Sequence, residues 1–308
     1  MTGGFASARA EAVQALTIGL RRLGAALWRK PAVSASLLLA LPLGWLVLIY
    51  LASLAALFIS AFWTIDSFTG DIDRTWTLAN FHAIFASETY RRIALRTILM
   101  ALAVTLTDVV LAFPVAYYMV RVAGPKERTA LFVLVLVPLW SSYLARVYAW
   151  RLIFAHDGML NWTLRTLGLQ GVEIGYTNWA MWVVFSYIWL PFMIIPIFAA
   201  IERIPPSLFE ASQDLGARAV RTLGRVVLPL ALPGIIAGSI FTFSLTLGDY
   251  ITPVLVGGPG SDFIGNVVYA NVGIANNVPF AAAYAAIPLV VMVLYLAFAR
   301  RLGAFDVM

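Results

Sequence analysis

The chain has 308 residues, of which 62% are hydrophobic and only 12% are charged. A soluble domain usually carries about 25% charged residues, so too few polar side chains remain here to cover a surface that faces water. The composition therefore excludes an ordinary soluble protein and predicts an all-α chain embedded in lipid. Cysteine is absent, which excludes disulfides, thiolate metal sites and cysteine nucleophiles.

The charge and histidine content exclude two further classes. The net charge of +6 is explained by basic loops at one membrane face, and no separate basic domain suggests nucleic-acid binding. The two histidines, His82 and His156, fall in predicted loops. A haem-binding membrane subunit would need histidine ligands inside its spans.

Long apolar segments predict the membrane spans. A spanning helix needs about 20 mostly apolar residues. About six segments meet this criterion, near Ser34–Trp63, Ile93–Val120, Thr129–Tyr148, Trp179–Ala200, Leu228–Thr246 and Phe280–Ala299. The first is longer than the apolar part of a cleavable signal peptide, about 7–15 residues, so it is predicted to remain as an anchor.

The basic residues predict the orientation of these spans. Most of the 21 lysines and arginines lie near the two termini, after the second span and after the fourth span. The positive-inside rule places these segments, and both termini, in the cytoplasm. Residues 1–33 are predicted to form a cytoplasmic segment, as an amphipathic helix on the inner leaflet or a partly disordered tail. Residues 34–308 form the membrane domain, with a cytoplasmic loop at 201–228.

That loop, "IPPSLFEASQDLGARAVRTLGRVVLP", contains the signals of a short helix. Pro205–Pro206 should end the preceding helix, and Ser207 with Glu210 has the spacing of a capping box. Gly216 is a natural C-terminal stop, because glycine tolerates the left-handed conformation.

The residues of this helix suit docking into a groove. Phe209 is expected to present an aromatic ring at one end, and Ala211 and Ser212 allow close backbone approach. Beyond the helix, the i, i+3, i+7 spacing of Arg218, Arg221 and Arg225 predicts that they share one face of a helix. This basic face is expected to contact anionic lipids or a protein.

The loop resembles the signature of the membrane subunits of binding-protein-dependent ABC importers. The signature is Glu-Ala-Ala, three residues, Gly, nine residues, Ile, one residue and Leu-Pro. The matching residues of this chain are Glu210, Ala211, Ser212, Gly216, Val226, Leu228 and Pro229. Two of them depart from the signature: Ser212 replaces the second alanine, and Val226 replaces the isoleucine. The resemblance implies a type I ABC importer transmembrane-domain fold. It also implies that the short helix couples the spans to a partner ATPase through Phe209, Glu210, Ala211, Ser212 and Gly216.

The resemblance implies a non-enzymatic subunit of the bacterial inner membrane. The chain lacks the Gly-x-x-x-x-Gly-Lys-Ser/Thr loop, so ATP and Mg²⁺ are expected on the partner ATPase. No catalytic residue, metal site or cofactor is expected in this chain. The implied partners are an ABC ATPase dimer, a second and related permease chain, a periplasmic binding protein and membrane lipid, with no nucleic acid.

From about Phe81 to the C-terminus the sequence is similar to the spermidine/putrescine permease branch, the PotB-like subunits. The similarity lies in stretches such as "LRTILMALAVTLTDVVLAFPVAYYMVR" and "FTFSLTLGDYITPVLVGG", and it implies a polyamine as the solute. An amino acid, an opine or an anion remains an alternative. A secondary transporter is a further alternative, although no internal repeat is evident.

A desolvated amine needs carboxylates and aromatic faces. Asp108 lies near the middle of the second span, where it either lines a pathway or bonds to Thr105, Thr107 or a neighbouring helix. Asp249 and Tyr250 close the fifth span, where they either meet an incoming cation or cap the helix. The candidate pathway residues are Asp108, Trp140, Tyr143, Asp249 and Tyr250.

Other aromatic and basic residues leave alternatives open. Trp150, Tyr187 and Trp189 provide cation–π surfaces or belong to the aromatic belt at the membrane interface. Arg146 and Arg151 either pair with Asp157 or Glu173, or favour an anionic solute.

Small residues and prolines predict how the spans pack. Gly234 and Gly238 form a G-x-x-x-G step that allows close helix contact. Irregular backbone inside the protein or beside water is expected at Pro114, Pro191, Pro196 and Pro288.

Overall fold

The computed structural model describes residues 31–66 and 69–301. These residues form two units, one ending at Ile59 and the other beginning at Ser60. The helices are α1 (Pro31–Trp45), α2 (Ala52–Ser60), α3 (Ala79–Ala86), α4 (Glu88–Arg121), α5 (Pro125–Trp140), α6 (Tyr143–Ile153), α7 (Met159–Thr166), α8 (Asn178–Glu202), α9 (Pro206–Asp214), α10 (Ala219–Thr222), α11 (Leu228–Gly248), α12 (Ile264–Gly273) and α13 (Val278–Arg301). π-Helical turns occupy Leu46–Leu51, Leu223–Val227 and Pro253–Gly257.

A short antiparallel ribbon is the β-structure of the described residues. Its strands are β1 (Thr64–Ile65) and β2 (Ile72–Asp73), with Thr64 opposite Asp73. The described part of the chain is therefore dominated by helices, as the sequence predicts. The predicted N-terminal segment, 1–33, lies almost entirely outside the described residues.

Within the residues that the structure describes, five helical segments are long and apolar enough to cross a membrane. They are Leu38–Ser60, Glu88–Arg121, Asn178–Glu202, Ala219–Gly248 and Val278–Arg301. A sixth span is obtained if α5 and α6 together count as one. We number the spans one to six in chain order, with α5 and α6 as span three. Each of the six predicted segments overlaps one of them.

Span three is not the single straight helix predicted over Thr129–Tyr148. Helices α5 and α6 meet at an angle of 93°. Pro138 lies in the last turn of α5, and the Ser141 hydroxyl donates a hydrogen bond of 2.8 Å to the Pro138 carbonyl oxygen. Ser141 then adopts an extended conformation, and Ser142 follows with φ of −57° and ψ of 132°, which is also non-helical. The hydroxyl satisfies a carbonyl group at the helix end, so the chain can turn there.

Helices α4, α8 and α11 pack against one another and form the centre of the second unit. Close approach of α11 to α8 depends on its glycines. A Cβ atom at Gly234 would lie 2.5 Å from the Cβ of Ala200 and 2.5 Å from the carbonyl oxygen of Pro196. At Gly238 it would lie 2.8 Å from the Met193 sulfur. The predicted G-x-x-x-G contact is thus confirmed.

The segment after span five is tied back to span two. Arg96 of α4 donates hydrogen bonds to the carbonyl oxygens of Gly260 and Asp262. The Thr97 hydroxyl oxygen accepts a 3.1 Å hydrogen bond from the Ile264 amide. These contacts fix the turn-rich stretch "GGPGSD" against α4 and place the residues that follow α11.

Candidate functional site

The loop between spans four and five contains the predicted short helix, α9. After Asp214 the Gly216 backbone has φ of +71°, a left-handed conformation. Its amide donates to the Gln213 carbonyl at 2.8 Å, and the Ala217 amide donates to the Ser212 carbonyl at 3.0 Å. This pair of bonds is the Schellman motif, so the prediction that Gly216 ends the helix is confirmed.

The start of α9 differs from the prediction. The N-cap residue is Pro205, which makes no side-chain cap, and Ser207 lies inside the helix. Pro206 occupies the first helical position, where its fixed φ favours the helix and its missing N–H costs nothing. The helix therefore begins before Ser207, and the predicted capping box of Ser207 with Glu210 is wrong.

Phe209 faces the protein, which corrects the prediction of an outward aromatic contact. The guanidinium carbon of Arg121 lies 3.7 Å from the centre of the Phe209 ring, and the ring packs against a buried apolar cluster that includes Ile201 and Val227. Ser212 also faces inward, with 2.8 Å between its hydroxyl oxygen and that of Thr222.

The outward face of α9 is apolar in part. Leu208 and Ala211 are exposed, and so is Leu215 directly after the helix. Their spacing of three and four residues places them on one side, and Glu210 is exposed beside them. A loop helix with two inward anchors and an exposed apolar side has the form of a docking element.

The three loop arginines do not share the single helix that their spacing predicts. Arg218 precedes α10 with ψ of 154°, which is an extended conformation. The π-helical turn Leu223–Val227 begins after Arg221 and contains Arg225, which changes the helical phase between these two residues. All three side chains are exposed.

A cavity of about 300 Å³ brings together three of the five predicted pathway residues: Tyr143, Asp249 and Tyr250. It lies where α6, α8 and the end of α11 meet. The complete lining is Tyr143, Trp189, Ser244, Leu245, Gly248, Asp249, Tyr250 and Ile251.

Asp249 is a helix cap. One carboxylate oxygen accepts hydrogen bonds from the amides of Ile251 at 2.8 Å and Thr252 at 3.1 Å. The other accepts from the hydroxyl groups of Tyr143 and Thr252. The carboxylate therefore caps the start of the segment that follows α11 and not the end of the fifth span, which corrects the predicted cap. The contact with a cation stays a prediction.

Stacked aromatic rings form the walls of this cavity. The rings of Tyr143 and Trp189 are stacked with centroids 5.8 Å apart. Tyr250 stacks on Tyr269 at 4.9 Å. Trp189 was predicted only as one of several cation–π surfaces, and the structure places it in the site.

Two predicted pathway residues lie elsewhere. Trp140 is 87% exposed at the end of α5 and lines neither this cavity nor the one beside α9. Asp108 of α4 is fully buried where this helix packs against its neighbours. The Ser186 hydroxyl of α8 lies close to its carboxyl group. Within residues 31–66 and 69–301, neither carboxyl oxygen of Asp108 has a hydrogen-bond partner of standard geometry.

The predicted pairing of Arg146 or Arg151 with Asp157 or Glu173 is wrong. Arg165 pairs with Asp157 at 3.2 Å, and His156 lies 3.6 Å from Glu173. Arg165 and His156 lie close in sequence to these acidic groups or in the same turn-rich segment. They therefore pair with Asp157 and Glu173 in place of Arg146 and Arg151. Arg151 instead contacts the Tyr176 hydroxyl at 3.3 Å.

A second cavity, of about 340 Å³, lies beside α9. Its lining is mostly apolar and comes from α8, the loop and α11: Pro196, Ala199, Ala200, Arg203, Ile204, Pro205, Leu208, Leu230, Pro233, Gly234 and Ala237. Both cavities therefore lie along the paired helices α8 and α11, one near each end of α11. The sequence predicts the close packing of these helices but not the cavities.

Comparisons with known proteins agree on one family. Residues 79–304 match the family described as "Binding-protein-dependent transport system inner membrane component". The inner membrane ABC transporter permease protein YdcU of Escherichia coli (strain K12) is 47% identical over 301 residues, covering 94% of this chain and 96% of that protein. The spermidine/putrescine transport system permease protein PotB of the same organism is 32% identical over 255 residues, covering 82% and 92%.

A solved structure shares the fold. The crystal structure of a bacterial alginate ABC transporter, in complex with an alginate pentasaccharide-bound periplasmic protein, aligns with a TM-score of 0.68 at 22% identity. The alignment covers 92% of this chain and 97% of that one. The fold is thus that of a type I ABC importer transmembrane domain, as the loop signature predicts. The chain belongs to the family of binding-protein-dependent transport system inner membrane components and is a multi-pass permease of an ABC importer.

Proposed function

We propose that this permease conducts a small organic cation, such as spermidine or putrescine, across the bacterial inner membrane. The observation that carries the proposal is the cavity between α6, α8 and α11. Its eight lining residues supply stacked aromatic faces and the carboxyl group of Asp249, and no lysine or arginine is among them. Such a lining favours an organic cation through cation–π and charge interactions.

The relatives support this solute class without deciding it. PotB, at 32% identity, is named as a spermidine/putrescine permease. YdcU, at 47% identity, is named only as an ABC transporter permease. The cavity is therefore the stronger argument for a cation in this chain.

The proposed assembly has three partner types. A periplasmic binding protein delivers the solute, a second and related permease chain completes the pathway beside α8 and α11, and an ATPase dimer binds ATP and Mg²⁺. The exposed side of α9 is the proposed contact with the ATPase. Both termini and α9 then face the cytoplasm, in agreement with the distribution of basic residues.

Arg146 supports a second candidate, a small anion. It lies one turn after Tyr143 in α6, and its Nε and Nη1 atoms are buried without a hydrogen-bond partner in the described part of the chain. A guanidinium with two buried donors that lack partners suits a carboxylate or a sulfate.

Uptake by intact cells tests both candidates. Cells with and without this gene, with the partner genes left intact, are given labelled putrescine, spermidine, basic amino acids or sulfate. Loss of polyamine uptake alone supports the cation. Unchanged polyamine uptake with loss of sulfate uptake favours the anion and overturns the cation proposal.

A further inference from the structure

One arginine links α9 to a span that is not adjacent to it in sequence. Arg121 is the last residue of α4, which is span two. Its guanidinium stacks on Phe209 at 3.7 Å, and its Nη2 donates a 2.7 Å hydrogen bond to the Ile204 carbonyl oxygen. The two contacts lie on either side of Pro205–Pro206, so one side chain holds both the approach to α9 and α9 itself.

The contacts require the shape of an arginine side chain. A planar guanidinium can stack on a ring and donate in its own plane at the same time, whereas a lysine ammonium is a compact point charge. Phe209 is half-buried in the same apolar cluster as Ile201 and Ile204. The link is therefore shielded from water on the side of the protein, where such contacts are strongest.

The second anchor of α9 leads to a different span. Ser212 and Thr222 share a 2.8 Å hydrogen bond, and Thr222 ends α10 at the start of span five. Helix α9 would be joined to spans four and five by chain connectivity even without these side-chain contacts. Arg121 adds span two, whose other end holds Gly260 and Asp262 through Arg96.

We propose that Arg121 is the positioning residue through which movement of α9 is passed to span two, and through span two to the segment that follows Asp249. The inference rests on the proposed docking of α9 to an ATPase. It assigns to Arg121 a role that depends on its contacts with Phe209 and Ile204, beyond its contribution to the positive-inside pattern.

The absence of cysteine in the chain allows a direct test. Spin labels are placed on cysteines introduced at Val110 of α4 and Val293 of α13, both exposed, in the complete transporter with its partner permease and ATPase. The distance between the labels is measured by electron paramagnetic resonance before and after trapping with ATP and vanadate. The comparison uses Arg121→Gln, Arg121→Lys, Phe209→Leu and, as a control, Lys126→Gln, an exposed cation at the same end of the structure.

We expect the trapped state to shift the distance in the unmodified chain and in Lys126→Gln. Arg121→Gln, Arg121→Lys and Phe209→Leu should lose most of the shift, and the double variant Arg121→Gln/Phe209→Leu should lose no more than either single variant. ATP hydrolysis by the assembled complex should continue in all of them, which separates lost transmission from lost assembly. Phe209→Tyr, which keeps the ring, should retain the shift.

Two results would overturn the inference. The first is a full shift in Arg121→Gln, and the second is a parallel loss of hydrolysis and shift, which indicates a structural role only. Measurements on the unmodified complex distinguish failure of the proposed function from failure of this inference. If it shows neither ATP-dependent shift nor hydrolysis stimulated by this chain, the docking of α9 to an ATPase is wrong.

Discussion

Tyr143 donates a hydrogen bond to the carboxylate of Asp249, a residue 106 positions later in the chain. The bond joins the first turn of α6 to the end of α11 and closes one wall of the aromatic cavity. The same carboxylate caps the segment beginning at Ile251. A single side chain thus serves both local structure and the candidate pathway, and substitutions can separate these roles.

Asp249→Asn keeps a carbonyl oxygen that can accept the two backbone hydrogen bonds but removes the negative charge. We expect the midpoint of thermal unfolding to change little and uptake of a cationic solute to fall. Asp249→Ala removes the cap as well and should cost about 1 kcal/mol of stability in addition. Both variants are measured in detergent for unfolding and in cells for labelled spermidine uptake.

Asp73→Asn is the matched control for Asp249→Asn. Asp73 is exposed, and its Oδ1 accepts a 3.0 Å hydrogen bond from the Thr75 amide in a turn. Normal uptake in Asp249→Asn would leave only the capping role and remove this residue from the pathway.

Substitutions at the glycines of α11 should follow a definite order of damage. Gly234→Ala places a methyl group 2.5 Å from the Pro196 carbonyl oxygen and the Ala200 Cβ, which are fixed atoms of α8. At Gly238 the first contact is the sulfur of Met193, a flexible side chain, with its backbone at 3.1 Å. We expect a loss of about 1–3 kcal/mol for Gly234→Ala and a smaller loss for Gly238→Ala.

Gly224→Ala provides the control for this series, because a Cβ there meets no atom within 4 Å. Unfolding of the purified chain in detergent gives the order directly. If Gly238→Ala is more damaging than Gly234→Ala, the contact between α8 and α11 differs from the one described.

Replacement of Gly216 tests the end of α9. Gly216→Ile forces a β-branched residue to a φ of +71°. The strain should destabilise the helix end by about 1–3 kcal/mol or unwind it. We expect the spans to insert normally and transport to be uncoupled from ATP hydrolysis. Uptake and hydrolysis are compared in proteoliposomes with the partner subunits.

Gly216→Asn controls for the loss of glycine itself, since asparagine adopts the left-handed conformation more readily. It should retain most of the uptake. Equal uptake by the isoleucine and asparagine variants would show that the helix end has no part in coupling.

Asp108→Leu should stabilise the fold. The carboxyl group is fully buried in span two, and its oxygens lack partners of standard geometry in the described ranges. Replacing such a group with an apolar side chain removes the cost of burying it, about 1–3 kcal/mol if the carboxyl is neutral and more if it is charged. The measurement is the unfolding midpoint in detergent.

The same variant tests the predicted pathway role of Asp108. Because Asp108 lines neither cavity, we expect uptake to remain. A fall in uptake with increased stability would instead show that Asp108 reaches the solute in another state of the transport cycle.

Local signals predicted most of the helices but not all of their ends. Apolar length predicted five spans well, because crossing a bilayer sets a minimum length that is visible in the sequence. The break in span three depends on Pro138 together with the Ser141 hydroxyl, and the apolar pattern continues across it. The cap predicted at Ser207 is wrong because Pro206 already occupies the first helical position, so the helix begins before Ser207.

The candidate site was predicted in part. Tyr143, Asp249 and Tyr250 were identified by residue type, and the structure places them around one cavity. Trp140 was chosen by the same reasoning and lies outside the cavity, since residue type does not reveal which way a helix is rotated. Arg121 is one of the basic residues after the second span that predict the orientation, and nothing in its neighbours predicts a partner 88 residues later.

The sequence by itself determined that this protein is membrane-embedded and helical, with a short loop helix that ends at Gly216. These properties follow from composition, segment length and the conformational freedom of one glycine, all of which act within a few turns of chain. The permease role was implied separately, by the resemblance of that loop to the signature of ABC importer subunits. Only the tertiary structure decided that Phe209 faces inward beneath Arg121, and that Tyr143 reaches Asp249. Those contacts join helices far apart in sequence, and their partners are set by how α4, α6, α8 and α11 pack, which no local pattern encodes.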